Sequence, residues 1–427
     1  MKHSAIGAIA VAVAIAVGGP SVVARAAPAE QQLGAEQLVE LALAANPQVH
    51  AARARWTSAE HSIRQNYAPA DPIFGFANID SPTNGITNAA AHSLSVFDSF
   101  QFPGKAILQG EEAERAAQIA RLQYQAMLRD TRAAVETAYF QLLLDRALAA
   151  VNGENIDNLT RVLKVTQVAY SASQVTQTDF ISAELDLATA RLQQRQLGVA
   201  ISNDETTLNQ ILNRSPGSPL NLNETISLDP LNVSVDNLVD RAYEARQEIL
   251  AAAAAEKNSE TALRLARLEY LPDYTVGYTF DNYLIPSAGP TLNSLQDHGF
   301  SIAFNLPVFF WLKQNEDVKR ADADVEAARG NLESIHSQTA ASVTNLYRNT
   351  MLAYGSALLY RDSLIALARE DFEVALVAYE SRQIDFVMLS GALKRSYDAR
   401  VGYLQAANQF LASRISLEQA IGASIPQ

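Results

Sequence analysis

The sequence predicts a mixed α+β fold, mainly α and internally duplicated, on three observations. Prolines fall in bands near 69–103, 216–230 and 272–307, leaving Gly104 to Ser215 and Val308 to Ile425 without any. Motifs recur at an offset of about 200 residues. Short segments of alternating apolar and polar residues interrupt otherwise helical sequence.

The proline-free stretches come first, because an interior proline costs a helix about 3 kcal/mol. Their length permits unusually long helices, and some 65 residues would reach roughly 100 Å. From Ala106 to about Ser171 the chain is rich in Ala, Leu, Gln, Glu and Arg, and Val151-Asn152-Gly153 is a candidate bend. Val318, Ala321, Val325, Ala328, Leu332 and Ile335 recur at spacings of three and four, the seam of a coiled coil. Alanine on such seams implies closely spaced helices in a thin layer. An ordinary coiled-coil rod is the alternative, and the flanking strand pairs argue against it.

The duplication is read from matching motifs. Asn66-Tyr67-Ala68-Pro69 matches Glu269-Tyr270-Leu271-Pro272, and Phe100-Gln101-Phe102-Pro103 matches Phe304-Asn305-Leu306-Pro307. Val168-Ala169-Tyr170 with Gln174-Val175 matches Val377-Ala378-Tyr379 with Gln383-Ile384. Each half reads helix, strand pair, long helix, turn, long helix. The expected organisation is a leader over 1–26, a first repeat over 27–213, a linker over 214–233 and a second repeat over 234–427. Strand pairs are expected at about 71–102 and 272–308, and helical hairpins at about 105–213 and 313–422.

In the strands, Leu94, Val96, Phe100 and Phe102 oppose Ser93, Ser95, Ser99 and Gln101. Tyr274, Val276, Tyr278 and Phe280 oppose Thr275, Gly277, Thr279 and Asp281. Phe300, Ile302, Phe304 and Leu306 oppose Ser301, Ala303 and Asn305, while Ile73 to Asp80 alternates less cleanly. Strands of about ten residues with one apolar face suit a transmembrane barrel; a water-soluble antiparallel sheet with one buried face fits equally well. Four strands cannot close a membrane barrel alone, so several chains contribute or there is no barrel.

The ends and composition narrow the class. Lys2 and His3, the apolar run Ala5 to Val17 and Ala24-Arg25-Ala26 read as a signal peptide cleaved after Ala26, with a retained anchor as the alternative. The absence of cysteine excludes a disulfide scaffold, a Cys-ligated metal and an acylated N-terminal cysteine. A net charge of −13 argues against a nucleic-acid partner. His50, His61, His92, His298 and His336 show no ligand spacing and the four methionines do not cluster, so no metal site or cofactor is expected. Phosphate loops and a serine-nucleophile elbow are missing, and acid pairs such as Glu111-Glu112 read as solvated helix faces, so no catalytic residue is assigned. Phe309-Phe310-Trp311 is read as an aromatic girdle at the inner rim of a barrel, with core packing as the alternative, and Trp56 as core.

In this order and duplication the residues resemble the TolC-like outer-membrane factor family over nearly the whole mature chain. Leu38 to Asn46-Pro47 looks like the family's opening helix. Phe102-Pro103-Gly104-Lys105 looks like the second-strand exit of its heavy-metal (CzcC/CusC-like) members, and Leu306-Pro307-Val308-Phe309 like the counterpart. The resemblance implies a homotrimer in the outer membrane of a Gram-negative bacterium. Three chains would form a twelve-stranded β-barrel, four strands from each, continued by a long periplasmic α-helical barrel. It also implies a passive, gated export duct for heavy-metal ions or other small toxic compounds. The expected partners are outer-membrane lipid, a periplasmic adaptor and an inner-membrane pump of the RND type.

By the same resemblance, Tyr170 to Asp179 and Tyr379 to Asp385 are the helix-turn-helix tips that close the resting pore. Asp179 and Tyr379 match a pair that hydrogen-bonds between helix pairs as a latch, with Asp385 and Arg382 as further gate residues. Ser173, Gln174, Val175, Gln383 and Ile384 are the expected adaptor contacts. Ser173 and Arg382 stand where the family usually has glycine, and Met388 and Gly391 where TolC has aperture aspartates. The competing reading is a periplasmic coiled-coil adaptor or structural protein without a pore; an ordinary porin would need more strands per chain.

Overall fold

The computed structural model describes residues 32–81, 89–223, 228–286 and 292–425. The expected leader lies outside them. Two runs of elements follow one another in the same order. The first comprises α1 (Ala35–Ala45), α2 (Pro47–Tyr67), β1 (Ile73–Ser81), β2 (Ala89–Phe100), α3 (Lys105–Ser171) and α4 (Gln177–Ile211). The second comprises α5 (Val235–Ala245), α6 (Gln247–Leu268), β3 (Tyr274–Pro286), β4 (Leu292–Phe304), α7 (Gln314–Leu359), α8 (Ile365–Glu380) and α9 (Phe386–Ile421). A five-residue π turn, Tyr360–Leu364, joins α7 to α8.

Helix α3 runs unbroken for 67 residues, about 100 Å at the α-helical rise. The helix is therefore not interrupted at Val151-Asn152-Gly153, and the reason is specific. Asn152 is buried, and its amide nitrogen donates to the Ala190 carbonyl at 3.0 Å and to Gln194 Oε1 at 2.8 Å on α4. Tertiary partners thus hold a residue of poor helix propensity in place. The irregularity falls instead at the π turn. There Tyr360 lies over Gly402 of α9, where a Cβ would come within 2.5 Å of the ring. A larger residue at 402 would displace that ring.

The helices form a thin layer with separate cores. Leu38, Val39 and Ala42 of α1 meet Val135, Tyr139 and Leu142 of α3 and Leu208 of α4. Leu238 and Ala242 of α5 meet Val343 of α7 and Leu417 and Ile421 of α9 in the counterpart. A further cluster sits toward the ends of the long helices, built from Leu159, Val162, Ala183, Leu187, Phe372, Tyr379, Phe386 and Leu389. On α7 the predicted seam is inward: Ala321 and Val325 are buried, and Val318, Ala328, Leu332 and Ile335 half-buried. Trp56 is half-buried and stacks on Tyr124 with ring centroids 5.6 Å apart. Polar ties cross between the repeats, as where Arg129 of α3 donates to Glu248 of α6 at 2.9 Å.

All four strands lie in one antiparallel sheet in the order β1-β2-β3-β4. Its register aligns Phe74, Val96, Tyr278 and Phe300 in one row, with Phe76, Leu94, Phe280 and His298 in the next. These rows form the apolar face; Gly75, Ser95, Thr279 and Gly299 form a row of the other. Alternation is not strict in β2, since the apolar face takes Asp98, opposite Val276. Phe97 turns to the polar face and lies across Gly277. Among the described residues no helix is long and apolar enough to cross a membrane.

One acidic contact makes the layer sensitive to pH. Burial, and then the facing Asp145 carboxyl of α3, pushes Asp204 of α4 up to about 6. A carboxyl whose folded pKa is raised destabilises the fold increasingly as pH climbs from its ordinary value of 3.8 to about 6. Asp204→Asn is expected to stabilise the detergent-solubilised protein near pH 7.5 by about 1 kcal/mol after allowing for solvent screening, read as a higher thermal midpoint. Near pH 4 the difference should vanish.

Candidate functional site: the helical tips and the strand–helix joint

Both tips are built the same way. Helix α3 ends in a Schellman turn, in which the Gln174 N–H donates to Ala169 O at 2.8 Å and the Ser173 N–H to Tyr170 O at 2.9 Å. Helix α8 ends identically, with Gln383 N–H to Ala378 O at 2.7 Å and Arg382 N–H to Tyr379 O at 3.0 Å. Such turns need a left-handed residue. Ser173 and Arg382 occupy those positions with φ of 57° and 63°. These are the two residues that stand where the resembled family has glycine, and each bears a strain of about 1 kcal/mol that glycine would lack.

The next helix starts at once. Thr176 caps α4 by accepting from the Asp179 N–H at 3.2 Å, and Asp179 Oδ2 accepts from the Thr176 N–H at 3.0 Å and its hydroxyl at 2.8 Å. Asp385 caps α9 by accepting from the Met388 N–H at 2.9 Å. Tyr379 is buried, its hydroxyl 3.3 Å from that of Thr166 on α3. Within one chain, therefore, Asp179 and Tyr379 do not bond to each other, and each has its own partner. Val175 and Ile384 are half-buried against the tip core, whereas Ser173, Gln174, Arg382 and Gln383 are exposed. Between the turns lies an open cleft of about 610 Å³, which brings together Ser173, Gln174, Asp179, Tyr379, Arg382 and Asp385. Gln383 is not among its lining residues.

At the other end of α3 is a joint the sequence reading passed over. Lys105 is only 2 % exposed. Its ammonium donates to Asp273 Oδ1 at 2.9 Å, to the Leu271 carbonyl at 3.0 Å and to Glu269 Oε2 at 3.4 Å. Asp273 Oδ1 also accepts from the Phe102 N–H at 2.8 Å. Gly104, at φ 105°, makes the turn that delivers the lysine inward. The Phe102-Pro103-Gly104-Lys105 motif thus ties the exit of β2 to the entry of β3. Its only sequence signal was a lysine beside a proline-glycine turn; the partners come from the other repeat.

Phe309, Phe310 and Trp311 follow β4 and are 64 %, 45 % and 52 % exposed, in edge-to-face contact. Phe310 also leans on Tyr270 at the end of α6. Two helix edges carry unpartnered apolar stripes at near-heptad spacing: Ile181, Leu185, Leu192 and Val199 on α4, and Leu367, Val374 and Val377 on α8. Among the described residues no group of three or more His, Cys, Asp or Glu is placed to hold a metal ion.

An apolar sheet face, long helices and paired tips are features this chain shares with outer-membrane efflux channels. Residues 238–423 match the family model described as outer membrane efflux protein. TolC of Vibrio cholerae is 25 % identical over 193 residues, an alignment spanning 44 % of each chain. TolC of Escherichia coli is 22 % identical over 411 residues, 90 % of this chain and 81 % of that one. The solved outer-membrane channel OprN shares the fold, with a TM-score of 0.76 at 17 % identity, covering 91 % of this chain and 90 % of that one. Over residues 238–423 the chain thus resembles the outer membrane efflux proteins, and over nearly its whole length it has the fold of the solved outer-membrane channels.

Two outcomes follow from the geometry. Ser173→Gly and Arg382→Gly are each expected to stabilise their turn by about 1 kcal/mol, slowing hydrogen exchange at the Gln174 and Gln383 amides about five-fold. At the joint, Asp273→Ala takes the nearest of three partners from a buried ammonium, leaving the Leu271 carbonyl at 3.0 Å and Glu269 at 3.4 Å. It should cost about 2 kcal/mol, whereas Lys105→Met leaves only partly exposed acids behind. Thermal unfolding of the two variants should therefore rank Asp273→Ala as the less stable.

Proposed function

We propose that three copies of this chain form a passive export duct through the outer membrane, opened at its periplasmic tips. The observation that carries this reading is a four-stranded sheet with an apolar face and two free edges, set on a layer of helices of which α3 is about 100 Å long. Transmembrane strands must pair at both edges, because lipid offers their backbone no hydrogen bonds. The apolar stripes of α4 and α8 flank the helical layer in the same manner. Each protomer contributes the two repeats, 27–213 and 234–427, joined by the 214–233 segment.

Gating is assigned to the cleft between the turns. Asp179 holds the start of α4 through its box with Thr176, and Asp385 does the same for α9. Tyr379 fixes the end of α8 against Thr166, and Arg382 supplies strain that lowers the cost of rearrangement. The exposed Ser173, Gln174 and Gln383 present the surface for a periplasmic adaptor, itself coupled to an inner-membrane pump of the RND type. Val175 and Ile384 support that surface from beneath. Phe309, Phe310 and Trp311 lie where the sheet meets the helices, and Phe310 and Trp311 serve as the girdle at the lipid boundary. The cargo is proposed to be heavy-metal ions or other small toxic compounds, on the Pro103-Gly104-Lys105 resemblance alone.

The native mass of protein extracted by detergent from outer membranes is the direct test, with a trimer expected. A monomer released by carbonate would end the duct reading in favour of a periplasmic rod. In planar bilayers, Asp179→Ala and Tyr379→Phe should each raise resting conductance; no change in either variant would remove both residues from the gate.

A further inference from the structure

We infer that the Lys105 joint inside the chain is repeated between protomers in apolar form. The β4 exit of one copy seats Phe309 against the α2–β1 turn of the next. This rests on the trimeric duct proposed above and specifies its seam. The sheet supplies the template, since the second and fourth strands are equivalent, as are the first and third. β2 and β3 pair within the chain, while β4 and β1 are left as edges.

The joint beside the β2–β3 pair is charged. Lys105 at the β2 exit reaches Glu269, Leu271 and Asp273 at the β3 entry. In the matching motifs each charged member is replaced: Lys105 by Phe309, Glu269 by Asn66 and Asp273 by Ala70. All three changes go together, from an ion pair to an uncharged contact. Phe309 takes the motif position of Lys105 but lies in the turn before α7, which begins at Gln314, and is 64 % exposed where Lys105 is 2 % exposed, so the pocket that would cover it is missing from its own chain. A second copy supplies that pocket. Asp71, one residue beyond Ala70, is exposed.

The template also specifies register. Phe97 lies opposite Gly277 within the chain. Moving both by 204 residues, in opposite directions, places Ser301 of one protomer opposite Ile73 of the next, on the polar face. Within the hairpins the shift is 204, one more than the 203 that relates the two helix–strand turns, since Ile73 pairs with Phe97 and Gly277 with Ser301. Opposed residues of an antiparallel pair have Cα atoms about 4.5–5.5 Å apart, within the span of a disulfide. The chain has no cysteine, so introduced thiols have no competitors.

The test combines Ile73→Cys with Ser301→Cys in the full chain, in outer membranes oxidised by a copper complex. Covalent dimers and trimers on a non-reducing denaturing gel are expected. The pair Phe74→Cys with Ser301→Cys, on opposite faces, should stay monomeric. A native trimer in detergent that crosslinks only through the second pair, or through neither, overturns this register and leaves the duct intact. Absence of any native trimer overturns both. For the seam, Phe309→Glu should lower the temperature at which the trimer dissociates, and adding Ala70→Lys should restore most of that loss. No loss, or a loss that Ala70→Lys leaves unchanged, overturns the Phe309 contact.

Discussion

The structure depends on one constraint: strand edges must be paired wherever water cannot reach them, and the four strands of the described residues do not close on themselves. A single copy leaves one edge each on β1 and β4. It also leaves apolar stripes on α4 and α8, and an aromatic cluster after β4. In an isolated soluble protein such surfaces would promote aggregation. Here they recur at the margins of the sheet and of the helical layer, so closing a ring would satisfy them together. Hydrogen bonding and burial therefore demand the same assembly.

Against that requirement the two ends of the long helices are built with opposite economies of strain. At the membrane end, Gly104 accepts a positive φ without penalty, and Lys105 is fully satisfied in a buried site. At the tips, Ser173 and Arg382 occupy the same kind of conformation without being glycine. Their turns are complete in hydrogen bonds yet cost more than they need to. A rigid joint where strands feed helices and strained turns at the far end suit a duct that keeps its barrel and rearranges its mouth.

How much of this the sequence shows follows from where the partners lie. Long helices were legible because proline absence is a local signal, and the duplication because whole motifs recur. The left-handed positions were legible too, since Ser173 and Arg382 stand out against the glycines of the resembled family. Lys105 was not, because its partners are 164 to 168 residues away. Asn152 misled for the same reason: its amide is satisfied from α4 rather than by breaking α3. The π turn depends on Gly402 making room for Tyr360, a contact that no window of sequence contains.

The tips show a subtler limit. Thr176 and Asp179 carry the spacing of a capping box, and Asp385 stands three residues before the amide it caps, so both helix starts were readable from local chemistry. Reading them as a latch placed the bond between helix pairs, whereas each acid first completes its own helix. The two roles compete for the same oxygens. A carboxylate that satisfies an N-terminal amide can bond a neighbouring hydroxyl only with its remaining lone pairs, or by releasing the cap. Opening the tip would then be coupled to fraying of the first turns of α4 and α9. A gate made in this way asks Asp179 and Asp385 to serve twice, as caps of α4 and α9 and as resistance to opening.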